Sequence, residues 1–402
     1  MTTAAHCILT THVGSLPRPT GVPEQLFAQD SGIGYDEATF DATMQREVTA
    51  VVARQKAANV DIVSDGEMGK ISYATYIRHR LTGFELGDFP RATPKDLDDF
   101  PDFKERLAKL GATPKYHRPI CTGPIAVKDL SSLHKDIANL QNACAATGVA
   151  RAFMNSASPG VIAVFQPNRY YPSHAKYLQA LAEAMRTEYE AIVAAGLDLQ
   201  IDAPDLAMGR HIMFRHADDA EFLRNAHLQV EALNYALANV PAEKVRMHVC
   251  WGNYEGPHHH DIGLDKIINI VLAAKPATVL FEGANPRHAH EWEVWADAYK
   301  KGLIPDNKVL APGVLDSVNN FIEHPRLVAQ RLVTYANIVG RDRVLAASDC
   351  GFGTFAGYGA IHPDICFAKL ASMAEGAKIA SALLWPGAAI AKLDDKSDVA
   401  AA

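Results

Sequence analysis

The chain has 402 residues, 48% of them hydrophobic, and its formal net charge of -7 sets 46 acidic against 39 basic side chains. That allows a large buried core, and the absence of any lysine/arginine run excludes nucleic acid as an expected partner. Ile379 to Leu393, the most apolar stretch near the C-terminus, is broken by Pro386 and Gly387, and Met1 to Cys7 carries neither a basic nor an apolar signal region; a cytoplasmic protein that does not engage a membrane is expected.

Short β-branched runs alternate with long amphipathic stretches. Eight candidate strands follow in order: Thr11 to Gly14, Val60 to Ser64, Ala152 to Asn155, Leu199 to Asp202, Val245 to Cys250, Thr278 to Glu282, Val309 to Gly313 and Val344 to Ser348. Helical patterns such as Tyr177 to Ala195 and Ala217 to Ala238 separate them. Eight strand-plus-helix units predict an α/β fold, a (β/α)8 barrel, as one domain with an ordered core over about residues 8–390. A doubly wound sheet lacks support, because no glycine-rich phosphate turn follows the first strand. Two insertions interrupt the pattern. Leu86 to Asp102, with Asp88, Pro90, Pro94, Asp96, Asp98, Asp99 and Pro101, reads as a solvated acidic loop, and Tyr116 to Val127 reads as an extra strand or hairpin. The alanine-rich tail after Asp394 is expected to fray.

Several candidate strands end in polar residues, and barrel active sites are built at those ends. The fifth ends in His248-Val249-Cys250, which puts His248 and Cys250 on one face, since side chains alternate along a strand. The sixth ends in Glu282, and the eighth closes on Ser348-Asp349-Cys350-Gly351. An imidazole, two thiolates and a carboxylate or water form a tetrahedral set suited to Zn2+. Three protein ligands with one exchangeable position is the catalytic arrangement, and it suits activation of a thiol, whose thiolate is the nucleophile. Six cysteines (Cys7, Cys121, Cys144, Cys250, Cys350, Cys366) do not make a disulfide framework. His258, His259 and His260 sit in a glycine/proline loop; consecutive loop histidines point apart, so substrate contact or a lid suits them better than a metal.

In these motifs the chain resembles the catalytic domain of cobalamin-independent methionine synthase, and more closely the short one-domain members, including epoxyalkane:coenzyme M transferase. The likeness runs from Thr11 to about Gly376 and rests on Thr11 to Pro17 (THVGSLP), Asp65 to Glu67 (DGE), Ile201 to Pro204 (IDAP), His248 to Cys250, Phe281-Glu282, Pro312 to Val314 (PGV) and Ser348 to Gly351 (SDCG). It implies a barrel with zinc held by His248, Cys250, Glu282 and Cys350. It also implies that Val13, Gly14 and Ser15 hold the carboxylate of homocysteine, and that Glu67 and Asp202 hold its amino group. Read from the residues alone, Ser15 is equally a turn hydroxyl, and Asp202 equally a cap before Pro204. Phe165 is the counterpart of an aromatic that stacks on folate.

One departure bears on the donor. Val318 stands where the family carries its acid histidine, and the folate-holding half of the long enzymes is not among these 402 residues. His12, Asp316, Asn319 and the histidine loop are the candidates for a proton donor. The expected reaction is methyl transfer to a zinc-activated small-molecule thiol such as homocysteine. Methylcobalamin or a corrinoid protein is the expected donor, because its leaving group needs no proton. Two other readings stand beside it: alkylation of a different thiol or thioether cleavage, with Arg18, Arg169 or Arg287 meeting the sulfonate of coenzyme M, and a non-catalytic zinc or thiol-binding module. Trp251, Tyr254, Phe352 and Phe355 flank the ligand segments as candidate walls or rim packing. A homo-oligomer is neither required nor excluded.

Overall fold

The computed structural model describes residues 6–87, 93–109, 118–359 and 361–387. Six parallel strands pair in sequence order: β3 (Phe153–Ala157), β4 (Asp198–Asp202), β5 (Val245–Val249), β6 (Thr278–Phe281), β7 (Val309–Leu315) and β8 (Ala347–Ser348). Before them, β1 (Phe84–Gly87) and β2 (Arg118–Cys121) form a separate antiparallel pair. Two extended segments occupy the open edges of the six-stranded sheet. The Thr11 amide donates to the Ala346 carbonyl (2.8 Å) and the Ala346 amide to the Leu9 carbonyl (2.9 Å). The Ile62 amide donates to the Thr10 carbonyl (3.0 Å), and Val63 bridges Ala152 in parallel. Eight parallel segments thus close the expected (β/α)8 barrel and leave no sheet edge.

The apolar runs form these strands because every residue of β3 to β8 is buried. Parallel strands covered by helices read as near-continuous hydrophobic sequence. The covering helices include Glu37–Ala57, Ser131–Thr147, His174–Ala194, Asp219–Ala236, Leu264–Ala273, Trp292–Lys300, Pro325–Val339 and Pro363–Leu384. Side chains of Asp36, Ser173 and Asp218 accept amide bonds at three of their starts. A small cluster that includes Leu9, Ile62, Phe153, Leu280, Ala311 and Leu345 fills the lumen, while a much larger one lies between strands and helices. No helix among the described residues is long and apolar enough to cross a membrane.

The strand expectations hold within a few residues, and the misses have local causes. The first segment pairs through Leu9 to Thr11 rather than through Gly14, where the chain turns with a φ of 142°. Of the strand or hairpin expected over Tyr116 to Val127, Tyr116 lies outside the described residues; the strand is β2, and its partner β1 comes from the upstream segment in the register Phe84 to Cys121. The acidic insertion is a correction. Its Asp88 and Pro90 lie outside the described residues, as does the tail after Asp394, but Asp96 and Leu97 are buried in a single tight turn, Lys95–Asp98, followed by the helix Pro101–Lys109. A carboxylate is buried only where partners replace water, and Asp96 has three.

Candidate functional site

At the C-terminal ends of the strands lies a cavity of about 380 Å³, and the insertion contributes to its wall. His248, Cys250 and Cys350 line it. One nitrogen or sulfur from each lies within 4.8 Å of the others. The two Sγ atoms are 3.6 Å apart, far beyond a disulfide and close to the ~3.8 Å that two tetrahedral Zn–S bonds of ~2.3 Å would set. Nε2 of His248 lies 3.0 Å from the Asp349 carbonyl, the outer bond that fixes the tautomer of a ligating histidine. Burial lowers this imidazole to about 4, so it is neutral, as a ligand must be. The Cys250 thiol is pushed far up by its bond to Cys350 and by burial. At Cys350 the bond from Cys250 favours the thiolate, but burial and Glu282 outweigh it and the net shift is upward. Two buried thiols of this kind become thiolates only beside a cation, so the donor set fits a thiophilic metal.

Glu282 departs from expectation. It is not part of the converging group: Oε1 accepts the Trp251 amide (2.8 Å) and Oε2 the Asn285 side-chain amide (2.5 Å). Its carboxylate instead braces the segment that follows Cys250. Asp349, beside Cys350, accepts the amides of Gly283, Ala284 and Asn285, each at 2.8 Å, and so ties the end of β8 to the loop carrying Glu282. Gly351 lets the segment after β8 pass close to the turn that carries Ser15, since a Cβ there would lie 2.0 Å from Ser15 Oγ.

Val13, Ser15, Glu67 and Asp202 share the same cavity. A Cβ on Gly14 would meet Asn155 Oδ1 at 2.3 Å, so the turn requires glycine. Asn155 Nδ2 donates to the Val13 carbonyl (2.8 Å) and to Asp202 (2.9 Å), locking the turn to the carboxylate. Glu67 is buried in the left-handed region at φ 56°, an unfavourable place for a side chain with a Cβ. Its Oε2 is buried with no hydrogen-bond partner in the protein. Burial raises both carboxyls, and at Glu67 repulsion from Asp202 adds to it against the pull of Lys70. A pair of buried acids with an orphaned oxygen is a receptor for a cationic or donating group.

The remaining expected residues divide. Phe165 lines the cavity and meets Tyr73 edge-on at 5.5 Å, with Phe355 at 6.1 Å. His12 does not line it: Nε2 pairs with Gln55 (2.7 Å), Nδ1 accepts the Gly14 amide (3.1 Å), and burial lowers the ring to about 4. It positions the Gly14 turn rather than delivering a proton. Asp316 is also turned away, accepting the Val318 amide (2.8 Å) and the Asn319 side chain (2.6 Å). None of Arg18, Arg169 and Arg287 is in the cavity wall; Arg18 donates to the carbonyls of Glu67 and Lys70, and Arg287 to that of His258. Tyr254 and Phe355 are wall residues, whereas Trp251 and Phe352 are buried away from the cavity.

Sequence reasoning missed a histidine–carboxylate network behind this wall. His211, a wall residue, points Nδ1 at Asp96 (3.2 Å) and Nε2 at the Trp251 carbonyl (2.8 Å). Asp261 Oδ2 takes His258 (2.9 Å) and His288 (3.1 Å), and His288 reaches Glu291 (2.9 Å) on its other side. His258 and His288 each face acceptors at both nitrogens, and Asp261 raises both, His288 to about 10, against the opposing effect of burial. The contiguous His258, His259 and His260 gave the one available signal; His258 pairs locally with Asp261, but the Asp99 partner of His259 and His260 comes from a distant segment.

Fold and rim together define a class: a closed (β/α)8 barrel whose C-terminal cavity gathers an imidazole, two thiols and two buried carboxylates. No protein-family model matches the chain. The methionine synthase of Sulfurisphaera tokodaii is 25% identical over 373 residues, covering 92% of this chain and 91% of that protein. The methionine synthase of Saccharolobus solfataricus is 25% identical over 376 residues, covering 92% and 94%. Among solved structures, the B12-independent methionine synthase from Shewanella sp. W3-18-1 superposes with a TM-score of 0.70 at 18% identity, over 93% of this chain and 97% of that one. Over nearly its whole length the chain is similar to methionine synthases, and it shares their barrel fold.

Proposed function

We propose that the chain is a zinc-dependent transferase that methylates the thiol of homocysteine or a closely similar amino acid. The carrying observation is that the His248, Cys250 and Cys350 trio and the orphaned carboxylate oxygen of Glu67 open into one cavity. When bound, zinc supplies the Lewis acidity that keeps a coordinated thiol deprotonated near neutral pH. Only three side chains converge, which leaves a position for the substrate sulfur, with Glu282 bracing the ligand loop. Val13 and Ser15 face the amino-acid carboxylate, and Glu67 with Asp202 the ammonium, so the thiol is oriented before reaction. Buried acids raised in the free protein become fully ionised only when the ammonium arrives.

Methionine synthase relatives spanning nearly the whole chain support the reaction class. A donor whose leaving group takes no proton, methylcobalamin or a corrinoid protein, suits a site where Val318 replaces the family histidine and His12 and Asp316 face elsewhere. Recognition of coenzyme M draws no support from Arg18, Arg169 or Arg287, which are outside the cavity wall. A purely structural zinc is disfavoured by ligands that line a cavity. The six cysteines are free thiols, which suits a reducing cytoplasm.

The test is calorimetric titration of the zinc-loaded protein with homocysteine, cysteine, glutathione and coenzyme M. Selective binding of homocysteine with release of a proton is expected. Preference for another thiol removes the amino-acid assignment, and no binding by any of them removes the open coordination position.

A further inference from the structure

Consecutive loop histidines are expected to point apart, and His259 and His260 do not. Nε2 of His259 lies 2.8 Å from Asp99 Oδ2, and Nε2 of His260 lies 2.7 Å from the same oxygen. The two rings face each other with centroids 4.2 Å apart. One ligand atom from each of the three residues falls within 4.8 Å of the others. The group contains no thiol, so it differs in kind from the His248, Cys250 and Cys350 trio. It differs in place as well, because none of its three residues lines the cavity.

The segments that bring these residues together are fixed independently of them. His258 turns the chain in the left-handed region at φ 52°, and its ring is held by Asp261 (2.9 Å) and the Tyr254 carbonyl (3.0 Å). The His260 amide donates to Oδ1 of buried Asp96 (2.7 Å). Phe100, next to Asp99, meets the His259 ring edge-on at 5.5 Å. The side chains of Asp99, His259 and His260 remain 52%, 37% and 32% exposed, so an ion reaches them directly from solvent.

Two imidazoles and a carboxylate suit a divalent ion of borderline hardness, such as zinc, cobalt or nickel. Tetrahedral bonds of ~2.0–2.1 Å set ligand atoms ~3.3 Å apart, so the group needs to open by only about half an ångström to admit one. A metal on Nε2 leaves the ring proton on Nδ1, and at His259 that nitrogen faces Oδ1 of Asp96 at 3.6 Å. An outer carboxylate so placed fixes the tautomer and raises the basicity of a ligating imidazole.

We propose that Asp99, His259 and His260 form a second metal site, which takes an exchangeable divalent ion of the zinc, cobalt and nickel group and clasps the insertion to the loop after β5. The insertion supplies Asp99, and the loop supplies both histidines. Leu97 and Tyr254, from the same two segments, line the cavity, so the clasp secures that part of the wall from outside. Lacking thiolates, the site releases its ion on desalting, whereas the trio retains zinc.

The test is a Co2+ titration of the protein whose trio already holds zinc. One further equivalent of Co2+ is expected to bind, with visible d–d absorption but without the intense near-ultraviolet band that a sulfur ligand gives. Hydrogen exchange of the amides of residues 95–109 should slow as it binds. The double variant His259→Ala, His260→Ala and, separately, Asp99→Asn should lower Co2+ affinity at least about tenfold, no less than loss of an outer-sphere partner costs, and keep the zinc of the trio. The site is overturned if no second equivalent binds, if the second equivalent shows the sulfur band, or if both variants bind it as the wild type does. Binding that leaves exchange of residues 95–109 unaltered overturns the clasp.

Discussion

Two thiols 3.6 Å apart, each pushed upward in the free protein, carry the chemistry at the scale of single residues. Neither is a useful nucleophile alone, and each is a ligand once a cation removes its proton. Cys350→Ser should therefore leave the protein folded but strip it of zinc, as measured by metal analysis of the purified protein. Glu282→Gln separates the converging group from its surroundings. Because Glu282 bonds the Trp251 amide and Asn285 rather than joining the trio, this variant should keep its zinc, with affinity weakened about ten- to hundredfold as for an outer-sphere partner. Loss of zinc equal to that of Cys350→Ser would make Glu282 a ligand in its own right. Glu67→Gln tests the other half of the cavity. It removes a charge from a buried receptor, and homocysteine affinity should fall about ten- to hundredfold, as for a hydrogen bond to a charged group. Binding that does not change would leave the orphaned oxygen without a role.

Strands and their polar ends were legible in the sequence, because parallel strands must be apolar throughout and a period of two puts His248 and Cys250 on one side. The insertion was not. A run containing Asp96, Asp98 and Asp99 looks solvated until the partners are known, and those partners are His211, Tyr254, Arg215 and the loop histidines, more than 110 residues away. Spacing likewise could not tell that His259 and His260, adjacent in sequence, converge on one carboxylate oxygen. His12 and Asp316 misled for the converse reason: strand-end position marks polar residues for the cavity, but local bonds to the Gly14 and Val318 amides turn them away. For the insertion as an element, Asp96→Ala leaves the Tyr254 hydroxyl and the His260 amide without their acceptor, a cost of about 1–3 kcal/mol per group. Amides of residues 93–109 should then exchange faster with solvent and the KM for the thiol should rise, while zinc content stays unchanged. Unaltered exchange in that segment would show that Asp96 does not anchor the insertion.

The barrel as a whole binds its loops through buried acids; those held low by their hydrogen-bond partners, Asp96 and Asp261, favour folding at higher pH, and those that burial raises do the reverse. Asp205, in the turn after β4, is fully enclosed, accepts the Ser158 hydroxyl at 2.6 Å, and is raised from 3.8 to about 7 by burial, with hydrogen bonds opposing. Its proton is held in the folded chain but released in the unfolded chain between those values. The folded state thus binds more protons across the window from about pH 4 to about pH 7, so this group's contribution to stability falls as pH rises through it. Below the window both states hold the proton and nothing is lost; above it the buried charge is fully felt. Asp205→Asn, which keeps the acceptor but cannot ionise, should flatten the decline by up to ~1.4 kcal/mol per pH unit, the linkage of a single proton. Denaturant unfolding of wild type and variant at intervals from pH 4 to 8 measures this. Two parallel curves would mean that Asp205 is not the proton-holding group and that the enclosed turn after β4 tolerates the carboxylate charge.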